Sequence, residues 1–225
     1  MGRRALRKID PGIDLARHLK TFEDLPRPWN PETLFGRKAD VEVEVGSGKG
    51  LFLRTAATAR PEVDFLGIEI APRYARFAAA ALARGGLPNA VVVIADALRM
   101  FTEVVPDDCL AAVHVYFPDP WWKRRHKKRR VLREDFVRDV ERTLRPGGLL
   151  HYWTDVEEYF QTGLALITGQ TELTGPFDVP EVPAQGDLDY RTHFERRTRL
   201  GGEHVCRAMF RKRAGPGSAK EEVPR

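Results

Sequence analysis

Cysteine is almost absent from this chain of 225 residues, Cys109 and Cys206 being the whole supply. They lie far apart and neither belongs to a CxxC pair, which excludes a disulfide framework and leaves no support for a zinc ribbon or a redox motif. Both read as small buried apolar residues. Long apolar runs are missing as well: no stretch approaches the roughly 20 residues of a membrane span. The opening MGRRALRKID is basic without the apolar segment of a secretory leader. The expectation is a soluble, cytoplasmic protein with no membrane partner and no bound metal. No internal repeat is present, and no convincing nucleophile, histidine and acid triad can be assembled. Nor does charge of one sign dominate, since 37 Lys and Arg face 32 Asp and Glu for a formal net charge of +5. That excess is local. Lys123, Arg124, Arg125, Lys127, Lys128, Arg129 and Arg130 sit in one block beside His126, and without those seven charges the chain would stand at −2. A single-sign block of this kind implies a polyanionic partner.

With 42% apolar residues, the chain is long enough for one sizeable core, and a single α/β domain fits it better than two. Residues 1–40 mix charge with Pro11, Pro26, Pro28 and Pro31 and read as an extended or loosely helical basic arm outside the core. From Val41 the texture changes. Val41 to Val45, Val63 to Ile70, Ala90 to Ile94, Ala111 to Phe117 and Leu149 to Thr154 are short β-branched or aromatic runs. Between them lie helical patterns: Leu51 to Ala59, the stripe Tyr74, Phe77, Ala78, Ala81 and Leu82, and Phe136, Val137, Val140 and Leu144. Strand and helix in alternation predict a doubly wound, mostly parallel sheet covered on both faces. Arg145-Pro146-Gly147-Gly148 ends a helix and turns into the next strand. Asp189 to Phe194 and Glu203 to Phe210 read as two late strands joined by a hairpin at Gly201-Gly202. The domain is therefore drawn over 41–213, with a disordered polar tail over 214–225.

The first strand, VEVEVGSGKG, ends in Gly46, Gly48 and Gly50 just before a helix. Glycines there let the backbone approach a ligand closely, which is how such sheets hold nucleotide-type cofactors. The spacing is GxGxG, not the GxGxxG of dinucleotide sites, and GKG lacks the Ser or Thr of a Walker loop, so neither NAD nor ATP is favoured. Glu44 stands two residues before Gly46, where a carboxylate would repel pyrophosphate and attract a cation. Glu42 shares its face of the strand, so one of the two acids is free to be a plain solvated residue. Glu69, about 20 residues after the glycines, has the usual position for an acid on ribose hydroxyls. Asp96 closes the third strand. Together these residues describe a pocket for an adenosine that carries positive charge and no phosphate, which is S-adenosylmethionine.

Asp119 lies between Pro118 and Pro120 at the end of a strand, so its neighbours restrict the backbone and aim one carboxylate at a fixed point above the sheet. Trp121 and Trp122 follow, then the basic block. Aromatic and basic residues in one loop suit stacking on bases and contact with phosphates.

These residues carry a resemblance. FPDPWWKRRHKKRR is similar to the FPDPWxKxRHxKRR signature of the bacterial tRNA (guanine-N7)-methyltransferases, and EVGSGKG, GIE, ADA, the run from Arg145 to Asp155 and T-x-F-E at Thr192 to Glu195 follow in the family's order. The match spans Val41 to about Phe210. It implies a Rossmann-like class I methyltransferase sheet of seven strands with one antiparallel strand, S-adenosyl-L-methionine as methyl donor, and tRNA as partner. The implied reaction forms 7-methylguanosine at the variable-loop guanine, position 46 in tRNA numbering, on a monomer or homodimer. Carried over by residue, Glu44, Gly46, Gly48, Glu69 and Asp96 hold the donor, with Asp119 at its methionine end and in the active site. Lys123, Asp155, Thr192, His193, Phe194 and Glu195 contact the guanosine. Arg125, His126, Lys127, Lys128, Arg129 and Arg130 follow the tRNA backbone. Trp122 and His193 depart from the family's commoner residues at those positions, which bears on base stacking and leaves every carboxylate in place.

Guanine N7 already carries a lone pair, so the reaction needs no base to remove a proton. It needs placement of two reactants and stabilisation of positive charge on the purine. Asp119, with Asp155 or Glu195, is the expected acceptor for the guanine N1 and N2 protons. Two rivals are a methyltransferase acting on a protein or a small amine, and a non-catalytic RNA-binding protein on a decayed cofactor fold. The four acids Glu44, Glu69, Asp96 and Asp119 argue against decay.

Overall fold

The computed structural model describes residues 6–121, 125, 129–184, 186 and 189–214. Eight strands follow in chain order: β1 (Leu19–Thr21), β2 (Val41–Val45), β3 (Asp64–Glu69), β4 (Ala90–Ile94), β5 (Leu110–Tyr116), β6 (Leu144–Thr154), β7 (Thr174–Asp178) and β8 (Cys206–Arg211). They make one sheet in the order β1-β4-β3-β2-β5-β6-β8-β7. Every neighbouring pair is parallel except those of β8, which runs antiparallel to both β6 and β7. The helices are α1 (Pro31–Phe35), α2 (Leu51–Ala59), α3 (Pro72–Gly85), α4 (Ala97–Glu103), α5 (Glu134–Thr143), α6 (Glu157–Gln170) and α7 (His193–Leu200).

Near-continuous apolar strands such as Ala90–Ile94 are what a sheet covered on both faces requires. One face packs Val43, Ile68, Val93, Val113 and Tyr152 against Phe101 of α4, Phe136 of α5 and Ile167 of α6. The other packs Phe65, Val92, Tyr116 and Trp153 against Phe52 of α2 and Ala78 of α3. Each fully buried Val, Leu or Phe among them contributes about 1.5–3 kcal/mol of transfer free energy. α3 starts with proline at its first turn and stops at Gly86 in the left-handed region, φ 60°.

The doubly wound reading holds, with three differences. The sheet has eight strands because the N-terminal segment adds β1 at the edge beside β4, and Phe22, Leu25 and Phe35 of that segment are buried in the core. Prolines made the segment look extended, yet Pro26 and Pro28 lie between the apolar anchors and Pro31 opens α1, which carries Phe35 into the core. Asp189 to Phe194 forms no strand: it leads into α7, whose N-cap Thr192 accepts a hydrogen bond from the Glu195 amide at 3.0 Å. Gly201 therefore ends a helix and joins no hairpin, and β8 pairs with β7 from before α7. Finally, Arg145 to Gly148 does end α5 at Thr143, but as a bulge within β6, where Leu144 faces Leu110 and Leu149 faces Ala112.

Candidate active site

From β2 the chain moves to β3 and β4 on one side and then places β5 on the other, so the strand order reverses between β2 and β5. Sheets of this kind bind ligands in the crevice beyond the carboxyl ends of the strands at that reversal. The acids singled out in the sequence all lie on this edge. Glu44 is the penultimate residue of β2, Glu69 the last of β3, Asp96 the N-cap of α4, Asp119 in the turn after β5, and Asp155 directly after β6.

The turn from β2 to α2 is left-handed at Gly46 (φ 77°), Gly48 (φ 54°) and Gly50 (φ 71°). At Gly46 an added Cβ would meet nothing within 4 Å among the described residues, so the glycine is needed for its backbone angle. At Gly50 an added Cβ would come 2.7 Å from that of Ala78, because α2 and α3 touch there. Glu69 fastens the turn, its carboxylate accepting from the amides of Gly48 and Ala71, each at 2.8 Å. Two bonds leave further acceptor capacity on the same carboxylate. Glu44 is different: it is buried, and among the described residues its Oε2 has no hydrogen-bond partner, nor has Ser47 Oγ in the turn itself. Burial, then the neighbouring Glu69 charge, holds the Glu44 carboxyl well above the usual range. A buried carboxyl with an unsatisfied oxygen beside an open glycine turn fits a cationic ligand. Asp96 is exposed and caps α4 through the Leu98 amide at 2.8 Å.

The turn after β5 is bracketed by two bulky residues in the left-handed region, Phe117 (φ 50°) and Trp121 (φ 40°). Such backbone costs about 1–3 kcal/mol per residue and persists only where the surroundings impose it. Here the Phe117 amide donates to the Trp153 carbonyl at 2.8 Å, and Arg130 Nε donates to the Pro120 carbonyl at 2.6 Å. Arg129 lies over the Trp121 ring at 5.2 Å and Arg130 over Tyr159 at 5.0 Å. The end of the basic block thus folds back to fix the turn, while Asp119 itself is exposed. Arg125 is exposed too; Lys123, His126, Lys127 and Lys128 lie outside the described residues.

α7 brings the last group of sequence-selected residues to this edge. Phe194 stacks on Phe117 with ring centroids 5.8 Å apart and an interplanar angle of 27°, and Thr198 Oγ1 reaches Asp155 Oδ2 at 3.5 Å. His193 and Phe194 are exposed. Glu195 is not: its carboxylate is buried, accepting from the Arg191 amide at 2.6 Å, from Arg199 at 3.3 Å and from Arg207 at 3.2 Å. It holds the start of the helix in place.

One arrangement escaped the sequence reading. Neither strand acid is solvated, since Glu42 is buried as well. Arg60 donates to both its oxygens at 2.6 and 2.8 Å, His114 Nε2 donates at 2.9 Å, and Tyr116 donates to His114 Nδ1 at 2.9 Å. Burial alone would raise the Glu42 carboxyl, but the His114 and Arg60 bonds carry it down to about 2. Burial keeps His114 neutral against the pull of Glu42, and keeps His151, stacked on it at 4.8 Å, further below its ordinary value. This chain runs across the sheet to Tyr116, the residue before Phe117. Its signal was one polar residue, Glu42, His114 or His151, within each of three neighbouring strands whose other positions are largely apolar.

Residues 38–208 match a family model described as "Putative methyltransferase". The tRNA (guanine-N(7)-)-methyltransferase of Rhodopirellula baltica is 49% identical over 220 residues, covering 95% of this chain and 81% of that protein. The enzyme of the same name from Legionella pneumophila strain Corby is 34% identical over 206 residues, covering 90% and 91%. Among solved structures, the 16S rRNA methyltransferase KamB superposes with a TM-score of 0.60 at 20% identity, over 81% of this chain and 92% of its own. A 16S rRNA (adenine(1408)-N(1))-methyltransferase from Catenulisporales acidiphilia gives 0.57 at 20%, over 82% and 91%. At that identity the structural likeness establishes the fold alone.

Proposed function

Because the chain belongs to the family of tRNA (guanine-N(7)-)-methyltransferases, we propose that it transfers a methyl group from S-adenosyl-L-methionine to N7 of a guanine in tRNA. The observation that carries this reading is the buried Glu44 carboxyl, its Oε2 without a partner among the described residues, beside a glycine turn, a seat for a cation and a poor one for a phosphate. When bound, S-adenosylmethionine supplies an electrophilic methyl on a sulfonium. Glu44 and Ser47 meet the charged amino acid end, Glu69 accepts from the ribose hydroxyls, Asp96 lies toward the adenine, and Gly46 and Gly48 admit the ligand backbone.

Asp119 is the catalytic residue of this proposal. Held by a strained, pinned turn, its carboxylate accepts hydrogen bonds from the guanine N1 and N2 protons, fixes the base, and favours the purine as it becomes cationic. Asp155, Thr192, His193 and Phe194 line the guanosine side, with Lys123 from the basic block, and Glu195 acts through the helix that it anchors. Arg125, Arg129 and Arg130, with His126, Lys127 and Lys128, follow the tRNA backbone. The finer assignment to the variable-loop guanine rests on the resemblance of the motifs. The residues named fit a monomer or a homodimer alike. A tRNA substrate implies the cytoplasm, and among the described residues no helix is long and apolar enough to cross a membrane.

The test is methyl transfer from labelled S-adenosylmethionine to undermodified tRNA, followed by nucleoside chromatography. Label is expected in 7-methylguanosine; label in another nucleoside, or none despite donor binding, would overturn the substrate. Asp119→Asn is expected to keep tRNA binding and lose most turnover, about 10²–10³-fold as for removal of one preorganised electrostatic group. Normal kcat in that variant would remove Asp119 from the mechanism.

A further inference from the structure

Among the described residues four large apolar side chains are strongly exposed: Ile70, Val182, Phe194 and Leu200. Phe194 and Leu200 both belong to α7, and the Val182 carbonyl accepts a hydrogen bond from Arg199 of α7 at 2.8 Å. Three of the four are therefore tied to one short helix, which is more apolar exposure than a merely structural element needs.

The helix has two distinct sides. Glu195 and Thr198 are buried, and Arg199, only 12% exposed in its side chain, is bound to Glu181 and Glu195. His193, Phe194, Arg197 and Leu200 are exposed, at spacings that put them on one face. The helix's acid is turned inward and spent on Arg199 and Arg207, so the face shown to solvent is basic and aromatic. The Arg197 guanidinium lies 4.1 Å from the Phe194 ring centroid, and Phe194 stacks on Phe117. A ladder of flat groups thus leads from the strained turn before Asp119 out to the helix surface. An arginine seated on an aromatic face keeps its N–H edge available for a phosphate, and such aromatic and basic pairs suit single-stranded nucleotides.

We infer that the outward face of α7, formed by His193, Phe194, Arg197 and Leu200, is a second contact surface for the RNA strand, independent of the basic block. It takes the nucleotide flanking the target guanine, with Arg197 on the phosphate and Leu200 against the sugar, while Phe194, on the guanosine side, seats the arginine. Charge complementarity commits the face to RNA, and its position beside Asp155 and the Asp119 turn commits it to the strand entering the site. The inference rests on the proposed reaction.

Its test compares Arg197→Ala with Arg84→Ala, which removes an exposed arginine from the last turn of α3. Binding of an unmodified tRNA transcript is titrated at several salt concentrations. Losing one phosphate contact lowers the slope of log K against log salt by roughly 0.7 to 0.9, so raising salt from about 50 to about 200 mM should cost the wild type about threefold more affinity than Arg197→Ala. Arg84→Ala should follow the wild type. If Arg197→Ala matches the wild type at every salt concentration, or alters only self-association, the surface is not an RNA contact. Methyl transfer by the wild type separates the two readings. A slope shift in Arg197→Ala without formation of 7-methylguanosine would keep the surface and sink the reaction, whereas 7-methylguanosine with an unshifted slope would do the reverse.

Discussion

At Glu44 the proposed role in donor binding comes at a cost in stability. Its folded pKa is raised, by burial first and Glu69 second, so it favours the fold below its ordinary range near 4.5 and loses that contribution as pH rises through the folded value. Glu44→Gln should therefore raise Tm without ligand, by a wider margin at pH 8 than at pH 5. It should also weaken S-adenosylmethionine binding by about 10- to 100-fold, the worth of a lost charged hydrogen bond. Thermal melts at the two pH values and calorimetric titration check both halves; an unchanged Tm would mean the carboxyl is solvated after all. With that acid removed, the opposite trend becomes readable. His114 and His151 are depressed and Glu42 sits at about 2, so their contribution is present above about pH 6.5 and is lost as pH falls, first through the histidines and then through Glu42. The urea midpoint of Glu44→Gln should drop between pH 7.5 and pH 5, and a flat profile would contradict the buried network. Alternation along VEVEV disclosed that the two acids share a face. It could not disclose which is paired, because Arg60 and His114 reach Glu42 only once the strand register is set.

At the scale of elements, the parallel strands and α2 were legible because apolar period and glycine punctuation agree there. α7 was misread for a physical reason: in DYRTHF, polar and aromatic residues alternate as in a strand, and local pattern outweighed the cap. The signal for the helix was present in Thr192-x-x-Glu195, a spacing that supplies a side-chain acceptor to the helix N-terminus. The motif therefore has a folding role whatever it does for the substrate. Thr192→Ala should cost about 1 kcal/mol in urea denaturation, with Thr192→Ser restoring most of it. Equal midpoints for all three proteins would show that the cap contributes nothing. β7 and the bulge in β6 were not readable, since glycine and proline within a strand resemble a loop until a neighbour supplies the pairing.

For the whole molecule, composition alone placed the charge correctly in sequence but could not say what the N-terminal segment does. Its prolines and charges hid three anchors, Phe22, Leu25 and Phe35, whose burial contributes about 1.5–3 kcal/mol each, comparable together with the whole stability of an ordinary domain. A chain begun at residue 41 should accordingly fail to give a cooperative melt, and a cooperative one at the full-length Tm would show that the anchors contribute nothing. β1 has a further consequence. His18 Nδ1 bonds the Ala90 carbonyl at 2.9 Å, the Val92 amide donates to the His18 carbonyl at 2.8 Å, and the strand then stops after Thr21. An uncovered β4 would offer its backbone to any passing strand. The protein fills that place with three residues of its own, the middle one a lysine, and so short a strip gives a passing strand little to continue at this edge.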